Sequence, residues 1–368
     1  MDVCCFAGYV GQMAKKFDNL AEILAHDFDT VIDVRSPSEF ADDHLPGAIN
    51  LPVLSDEQRA EVGTIYVQDS AFKARKIGGA LVAQNAAKHL QGPLADKDGG
   101  WQPLVYCWRG GQRSGSFASI LTQVGWRAEL IEGGYRSYRR MVVAATHTDP
   151  LPHQLILLEG NTGTAKTELL HLLDQRGVQT VDLEALAAHR GSVLGAVATR
   201  QPTQKLLEGA LAAAFSGLDP SRPVVVEAES SKIGNRQIPP SIWTAMRRAP
   251  RIAIDAPLAA RAEYLVRAYA DVLTAPDKLK ETLQKLYDLQ GKEVVEHWHG
   301  LVDDRAFLTL AHDLMERHYD PRYAKSKARD AATVLGRVET DSLVPDALGA
   351  LADQIASIVL NSQNTRPA

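Results

Sequence analysis

Two glycine-rich turns, each set between a short apolar run and a helical pattern, constrain this 368-residue chain more than any other feature. The first is Tyr106-Cys107-Trp108-Arg109-Gly110-Gly111-Gln112-Arg113-Ser114, preceded by Leu104-Val105 and followed by a helix predicted over 114–124. The second is Gly160-Asn161-Thr162-Gly163-Thr164-Ala165-Lys166-Thr167, preceded by Leu155-Ile156-Leu157-Leu158. A helical pattern over 168–175 follows it, with Leu169, Leu170, Leu172 and Leu173 as the apolar positions. Strand, turn and helix in that order, twice over, predict an α/β chain.

The first turn has the composition of a reactive site. Cys107 falls at a strand end facing a helix N-terminus, where the helix dipole, free backbone N–H groups, Arg109 and Arg113 favour thiolate over thiol. Gly110 and Gly111 let the backbone curl so that the N–H groups of the loop, from Trp108 to Gln112, converge on one point. The alternative, a buried structural cysteine, normally lies on an apolar stripe without glycines or arginines beside it.

The second turn departs from the usual G-x-x-x-x-G-K-[ST] phosphate loop at one position, Ala165. An alanine at a helix start costs little in backbone terms, so the N–H cradle is expected to survive, with Lys166 reaching phosphate oxygens and Thr167 a metal. A glycine-rich turn without ligand is the competing possibility. Carboxylates follow two further β-prone runs: Asp182 and Glu184 after 178–181, Glu227 and Glu229 after 223–226. Asp182 and Glu229 are the favoured pair to hold a phosphate-bound magnesium ion, although acidic residues also follow strands simply because strands end at the surface. No other metal ligand is assigned. Cys4 and Cys5 have no Cys or His partner at zinc spacing, and the histidines of His297-Trp298-His299 point to different faces of a helix.

The length exceeds what one core normally supports, and 45% hydrophobic residues furnish two. The proline-bearing stretch 146–153 is the natural seam, giving domains at 1–145 and 154–360, with 1–12 a candidate N-terminal extension before Met13. Residues 258–345 read as mostly helical, with helices over 262–272 and 278–289, and the end from Asn361 is expected to fray. Three cysteines, no signal-like start and no apolar run of membrane length predict a soluble cytoplasmic protein, taken as a monomer with no membrane association. The net charge of -5 conceals basic patches at Arg109–Arg140 and at Arg322, Lys325, Lys327 and Arg329. Arg136, Arg139 and Arg140 are candidates for a nucleic-acid backbone, with Tyr135 and Tyr138 either stacking on bases or packing in a core.

Thr30-Val31-Ile32-Asp33-Val34-Arg35-Ser36-Pro37-Ser38-Glu39-Phe40 and His44-Leu45-Pro46-Gly47-Ala48-Ile49-Asn50 resemble the N-terminal signatures of rhodanese domains. The Cys-x5-Arg span from Cys107 to Arg113 has the length seen in rhodanese-fold phosphatases. A rhodanese-like domain followed by a P-loop NTPase-like α/β domain with a helical C-terminal region resembles the tRNA 2-selenouridine synthase family. The likeness continues through Asp182-Leu183-Glu184, His189-Arg190-Gly191-Ser192, Glu229-Ser230-Ser231-Lys232 and His318-Tyr319-Asp320-Pro321.

That resemblance implies a two-stage change at the wobble uridine of tRNA. A 2-thiouridine is S-geranylated from geranyl diphosphate, and selenium from selenophosphate then replaces the geranylthio group. It implies that Cys107 carries selenium, that Arg113 and the loop amides hold selenophosphate, and that the 160–167 loop, Lys166 above all, holds diphosphate. Asp33 and Arg35 would brace the first loop from behind. No tightly bound cofactor is implied, with magnesium a candidate. Other classes stay open: a P-loop kinase with a regulatory rhodanese module, a sulfurtransferase or phosphatase, or a protein that binds anions or RNA without chemistry.

Overall fold

The computed structural model describes residues 14–327 and 333–364. They divide into two compact units. The first takes the described residues up to Ala145 together with Thr203–Gly217, and the second takes Thr146–Pro202 and the described residues from Leu218 onward.

In the first unit, β1 (Ala14–Lys15), β2 (Thr30–Asp33), β3 (Ile49–Asn50), β4 (Pro103–Tyr106) and β5 (Glu129–Ile131) form a parallel sheet in the order β1-β5-β4-β2-β3. Every residue of central β4 is buried, which is why it reads as an unbroken apolar run rather than an alternating one. One face packs Val34, Val105, Phe117 and Leu121, the other Val31, Leu104, Tyr106 and Tyr138. The second cluster also receives Ala212 from the Gln204–Ser216 helix, whose cap Thr203 accepts from the Leu206 N–H at 3.1 Å.

That helix corrects the assignment of all of 154–360 to one domain. One boundary between the two units falls between Ala145 and Thr146. The seam is not an extended linker, however: the Tyr135–Val143 helix continues through a π-turn at Ala144–Thr148, and Thr146 is buried.

In the second unit, β6 (Leu155–Gly160), β7 (Gln179–Val181) and β8 (Val224–Glu227) precede a short antiparallel pair, β9 (Lys232–Ile233) and β10 (Arg236–Gln237). With β11 (Arg251–Asp255) and β12 (Val334–Glu339) they complete a parallel sheet in the order β12-β11-β6-β8-β7. From β6 the chain goes first to one side, placing β7 at the edge and then β8 between β7 and β6, and afterwards to the other side with β11 and β12. The reversal therefore lies beside β6, where open α/β sheets place ligands at their carboxyl ends.

The predicted helices over 262–272 and 278–289 are each broken in two, as Leu258–Ala268 with Ala270–Leu273 and Pro276–Gln284 with Tyr287–Gln290. Around them a satellite core collects Leu279, Leu283, Val295, Trp298, Leu310 and Leu314. The histidine triplet is structural: Trp298 is fully buried and donates to Asp313 Oδ2 at 2.7 Å, while a His299 ring nitrogen lies 3.1 Å from the Lys280 carbonyl. The last helix, Pro345–Asn364, runs past the point where fraying is expected. No described helix is long and apolar enough to cross a membrane. Cys4, Cys5 and Arg329 lie outside the described residues.

Candidate functional site

Cys107 directly follows β4, and the helix it faces runs Gln112–Val124, starting two residues earlier than predicted. Its sulfur accepts from the Gly111 N–H at 3.3 Å and from the Ser114 hydroxyl at 3.1 Å. Burial, at 3% exposure, pushes the thiol up. The Ser114 hydroxyl, the Ser114 and Gly111 amides and the Arg113 charge outweigh it and leave the thiol below its ordinary range.

The turn closes against the loop after β5. Gly134, at φ 59°, has room for no side chain, because a Cβ there would sit 2.3 Å from the Cys107 carbonyl oxygen. Ser114 and Gly134 were not singled out from sequence, although the Gly133-Gly134 pair directly before a helix was a visible signal.

Behind the loop, Asp33 and Arg35 form a buried bidentate ion pair, Arg35 Nη2 donating to Asp33 Oδ2 at 2.6 Å and to the Asp43 carbonyl at 2.6 Å. Arg113 is held rather than free: its guanidinium donates to Glu39 at 2.7 and 3.4 Å. Burial works against the Glu39 carboxylate, yet its bonds to Arg113 and the Ser36 amide keep it below its ordinary range. Any anion at Cys107 must therefore share Arg113 with Glu39. The loop's other cation, Arg109, is exposed, as is Trp108.

The basic patch divides. Arg136 and Arg140 are exposed, but Arg139 pairs with Glu208 on the Gln204–Ser216 helix and with Asp43, so its candidacy for an RNA backbone is corrected to an internal ion pair. Tyr135 and Tyr138 are core residues, not stacking platforms.

At the second turn, the Lys166–Asp174 helix starts directly after Ala165, which adopts φ 58°, ψ 29°. This left-handed conformation explains the usual glycine at that position and corrects the view that alanine costs little there; the penalty is about 1 kcal/mol. Lys166 Nζ donates to the Gly160 carbonyl at 3.1 Å, across the mouth of the loop. Arg261 braces the loop from behind, donating to the Thr162 carbonyl at 3.1 Å and bidentately to Asp320 at 3.0 and 2.8 Å. The His318-Tyr319-Asp320 motif thus supports the phosphate loop through Arg261.

The carboxylates sort differently from the expected pair. Asp182 caps the Leu183–Leu186 helix, accepting from Ala185 N–H at 2.7 Å, and lies 3.1 Å from a His171 ring nitrogen. Glu184 takes its place beside the loop, 3.3 Å from the Thr167 hydroxyl and paired with Glu229. Burial, then the Glu229 charge, raises Glu184 to about 8, and burial raises Glu229 as well, so near neutral pH the two share a proton. Gly191, at φ 65°, lies against both: a Cβ there would be 2.7 Å from Glu184 and 2.8 Å from Glu229. Ser192 then reaches the Tyr269 hydroxyl at 3.2 Å.

Next to this turn is a narrow apolar slot of about 50 Å³. Thr162, Ser192, Leu194, Leu265, Tyr269 and Leu314 are among the residues that line it. Sequence reasoning missed it, because its lining comes from five separate segments. Among the described residues no cluster of three or more His, Cys, Asp or Glu side chains is arranged to hold a metal ion.

Residues 14–141 match the rhodanese-like domain family, and residues 153–294 match the family described as tRNA 2-selenouridine synthase AAA domain. Curated relatives named tRNA 2-selenouridine synthase include one from Nitrosomonas europaea, 37% identical over 67% of this chain and 64% of its own length. Others are from Chromohalobacter salexigens, 33% identical over 80% of this chain and 86% of the relative, and Bdellovibrio bacteriovorus, 31% over 83% and 90%. The match therefore spans less than two thirds of the Nitrosomonas protein but most of the other two.

Proposed function

This chain belongs to the tRNA 2-selenouridine synthase family, and on that premise we propose that it converts a wobble 2-thiouridine of tRNA to 2-selenouridine in two stages. In the first, the thiocarbonyl sulfur attacks the first carbon of geranyl diphosphate, the carbon–oxygen bond breaks, and diphosphate leaves into the 160–167 loop. Lys166 and the loop amides stabilise the charge that develops on it. In the second, the Cys107 thiolate attacks the phosphorus of selenophosphate, the phosphorus–selenium bond breaks, and the hydrogen selenide released attacks C2 of the geranylated base and expels geranylthiolate; water then hydrolyses the S-phosphocysteine. The loop amides, Arg113 and Arg109 meet the phosphate.

The observation that carries the first stage is the apolar slot that Thr162 of the 160–167 loop helps to line. A diphosphate with a hydrocarbon tail suits a phosphate cradle continued by leucines, whereas a nucleotide base presents polar edges that such walls leave unpaired. At about 50 Å³ the slot admits only part of a ten-carbon chain, so binding must part its walls. The deciding experiment is mass spectrometry of nucleosides from 2-thiouridine tRNA incubated with the pure protein and geranyl diphosphate, then selenophosphate. A geranyl adduct followed by a selenium-for-sulfur exchange is expected. ATP turnover with an unmodified uridine would instead favour the kinase reading.

A further inference from the structure

Trp108 carries the largest exposed apolar ring of the Cys107 loop, 39% exposed and one residue from the sulfur. It is nonetheless held in place. Its indole lies against the Tyr135 ring, with centroids 5.2 Å apart and planes tilted by 32°. Tyr135 in turn donates its hydroxyl to Asp43 Oδ2 at 2.7 Å, and the Arg35 guanidinium stands 4.0 Å from its ring centre. Two consecutive amides register the indole and the nucleophile together: Tyr135 N–H donates to the Cys107 carbonyl at 2.8 Å and Arg136 N–H to the Trp108 carbonyl at 3.1 Å. The adjoining side chains of Arg109 and Arg136 are exposed cations.

We infer that Trp108 is the stacking platform for the RNA base that Cys107 serves. A base reaching a sulfur recessed in a loop must leave the stack of its own strand, and a flat, pre-set indole replaces the stacking it gives up. Arg109 and Arg136 suit the phosphates on either side of a splayed nucleotide. Trp108 is thus a positioning residue that sets where the base ring lies relative to the sulfur. The inference rests on the reading in which Cys107 meets a tRNA base.

The test is a double-mutant cycle on the whole chain, using end-labelled anticodon stem-loop RNAs with either 2-thiouridine or an abasic site at the wobble position. Binding is read by fluorescence anisotropy. Trp108→Ala and Trp108→Leu should weaken the thiouridine RNA by roughly 5- to 150-fold, the range for losing one base stack, and leave the abasic RNA unchanged. Trp108→Phe should recover most of the loss, which also shows that the loop still folds. Equal losses on both RNAs, or a leucine that serves as well as phenylalanine, overturns the inference. Uptake of a phosphoryl group from selenophosphate by wild-type Cys107, read from intact mass, is a separate measurement: its absence sinks that reading of the second stage, while the stacking cycle is decided by binding alone.

Discussion

At the scale of single residues, the two sites hold ionisable groups displaced in opposite directions, and each displacement has a measurable consequence. The Cys107 thiol lies below its ordinary range because Ser114 and the loop amides overcome burial. Its alkylation by a small reagent should therefore have a pH midpoint below about 8.5, the value of a free cysteine. Ser114→Ala should move that midpoint up, and an unmoved midpoint would show that the hydroxyl does not set it. Glu184 is displaced upward, to about 8, beside Glu229. A carboxyl whose folded pKa exceeds its unfolded value, roughly 4.3, contributes stability that is whole below that value and lost as pH rises through the folded pKa. Glu184→Gln keeps a donor toward Glu229 at every pH. The variant should match wild type in unfolding free energy near pH 4 and exceed it progressively toward pH 9, by on the order of 2 kcal/mol, read from denaturant unfolding at each pH. A difference that does not depend on pH would mean the two carboxyls do not share a proton.

At the scale of elements, β4, β6 and the helices after them were legible in the sequence because each couples an apolar run to a glycine-rich turn. The partners of those turns were not. Nothing local distinguishes Glu184 from Asp182, two residues apart; which one turns toward Thr167 depends on Asp182 serving as the cap of the Leu183–Leu186 helix. The Gln204–Ser216 helix was equally opaque, since an amphipathic pattern predicts that a face is buried but not in which core. The structure buries it partly against Tyr138, and Gly209 makes the close approach possible: a Cβ there would lie 2.6 Å from the Tyr138 hydroxyl. That hydroxyl is buried without a hydrogen-bond partner among the described residues. Gly209→Ala should cost about 1–3 kcal/mol by overpacking, measured by denaturant unfolding. Tyr138→Phe alone should be neutral or stabilising, because it removes an unsatisfied polar group. The double variant should regain most of the loss, whereas strict additivity would place the clash elsewhere.

At the scale of the whole molecule, the proposed chemistry gives each turn its own stage, and the stages should separate by mutation. Cys107→Ser replaces a thiolate with a hydroxyl that stays protonated at neutral pH, while the phosphate loop is untouched. Geranylated tRNA should accumulate and selenated tRNA should be absent. Lys166→Ala removes the cation that donates to the Gly160 carbonyl at the mouth of the loop. Geranylation should fall by about 100-fold or more, the usual scale for losing a charge-stabilising donor, while tRNA geranylated beforehand is still selenated through Cys107. In the proposed scheme both stages need bound tRNA, and the exposed arginines Arg136 and Arg140 are assigned to that step alone. Replacing that pair should flatten the salt dependence of tRNA affinity, by nearly one unit of logarithmic slope for each phosphate left without its cation, and slow both stages together. Arg139 belongs outside that comparison, since breaking its pair with Glu208 and Asp43 would loosen the fold. If Cys107→Ser abolishes geranylation in correctly folded protein, or Lys166→Ala geranylates at the wild-type rate, the two turns do not divide the reaction as proposed, and a single shared site becomes the better account.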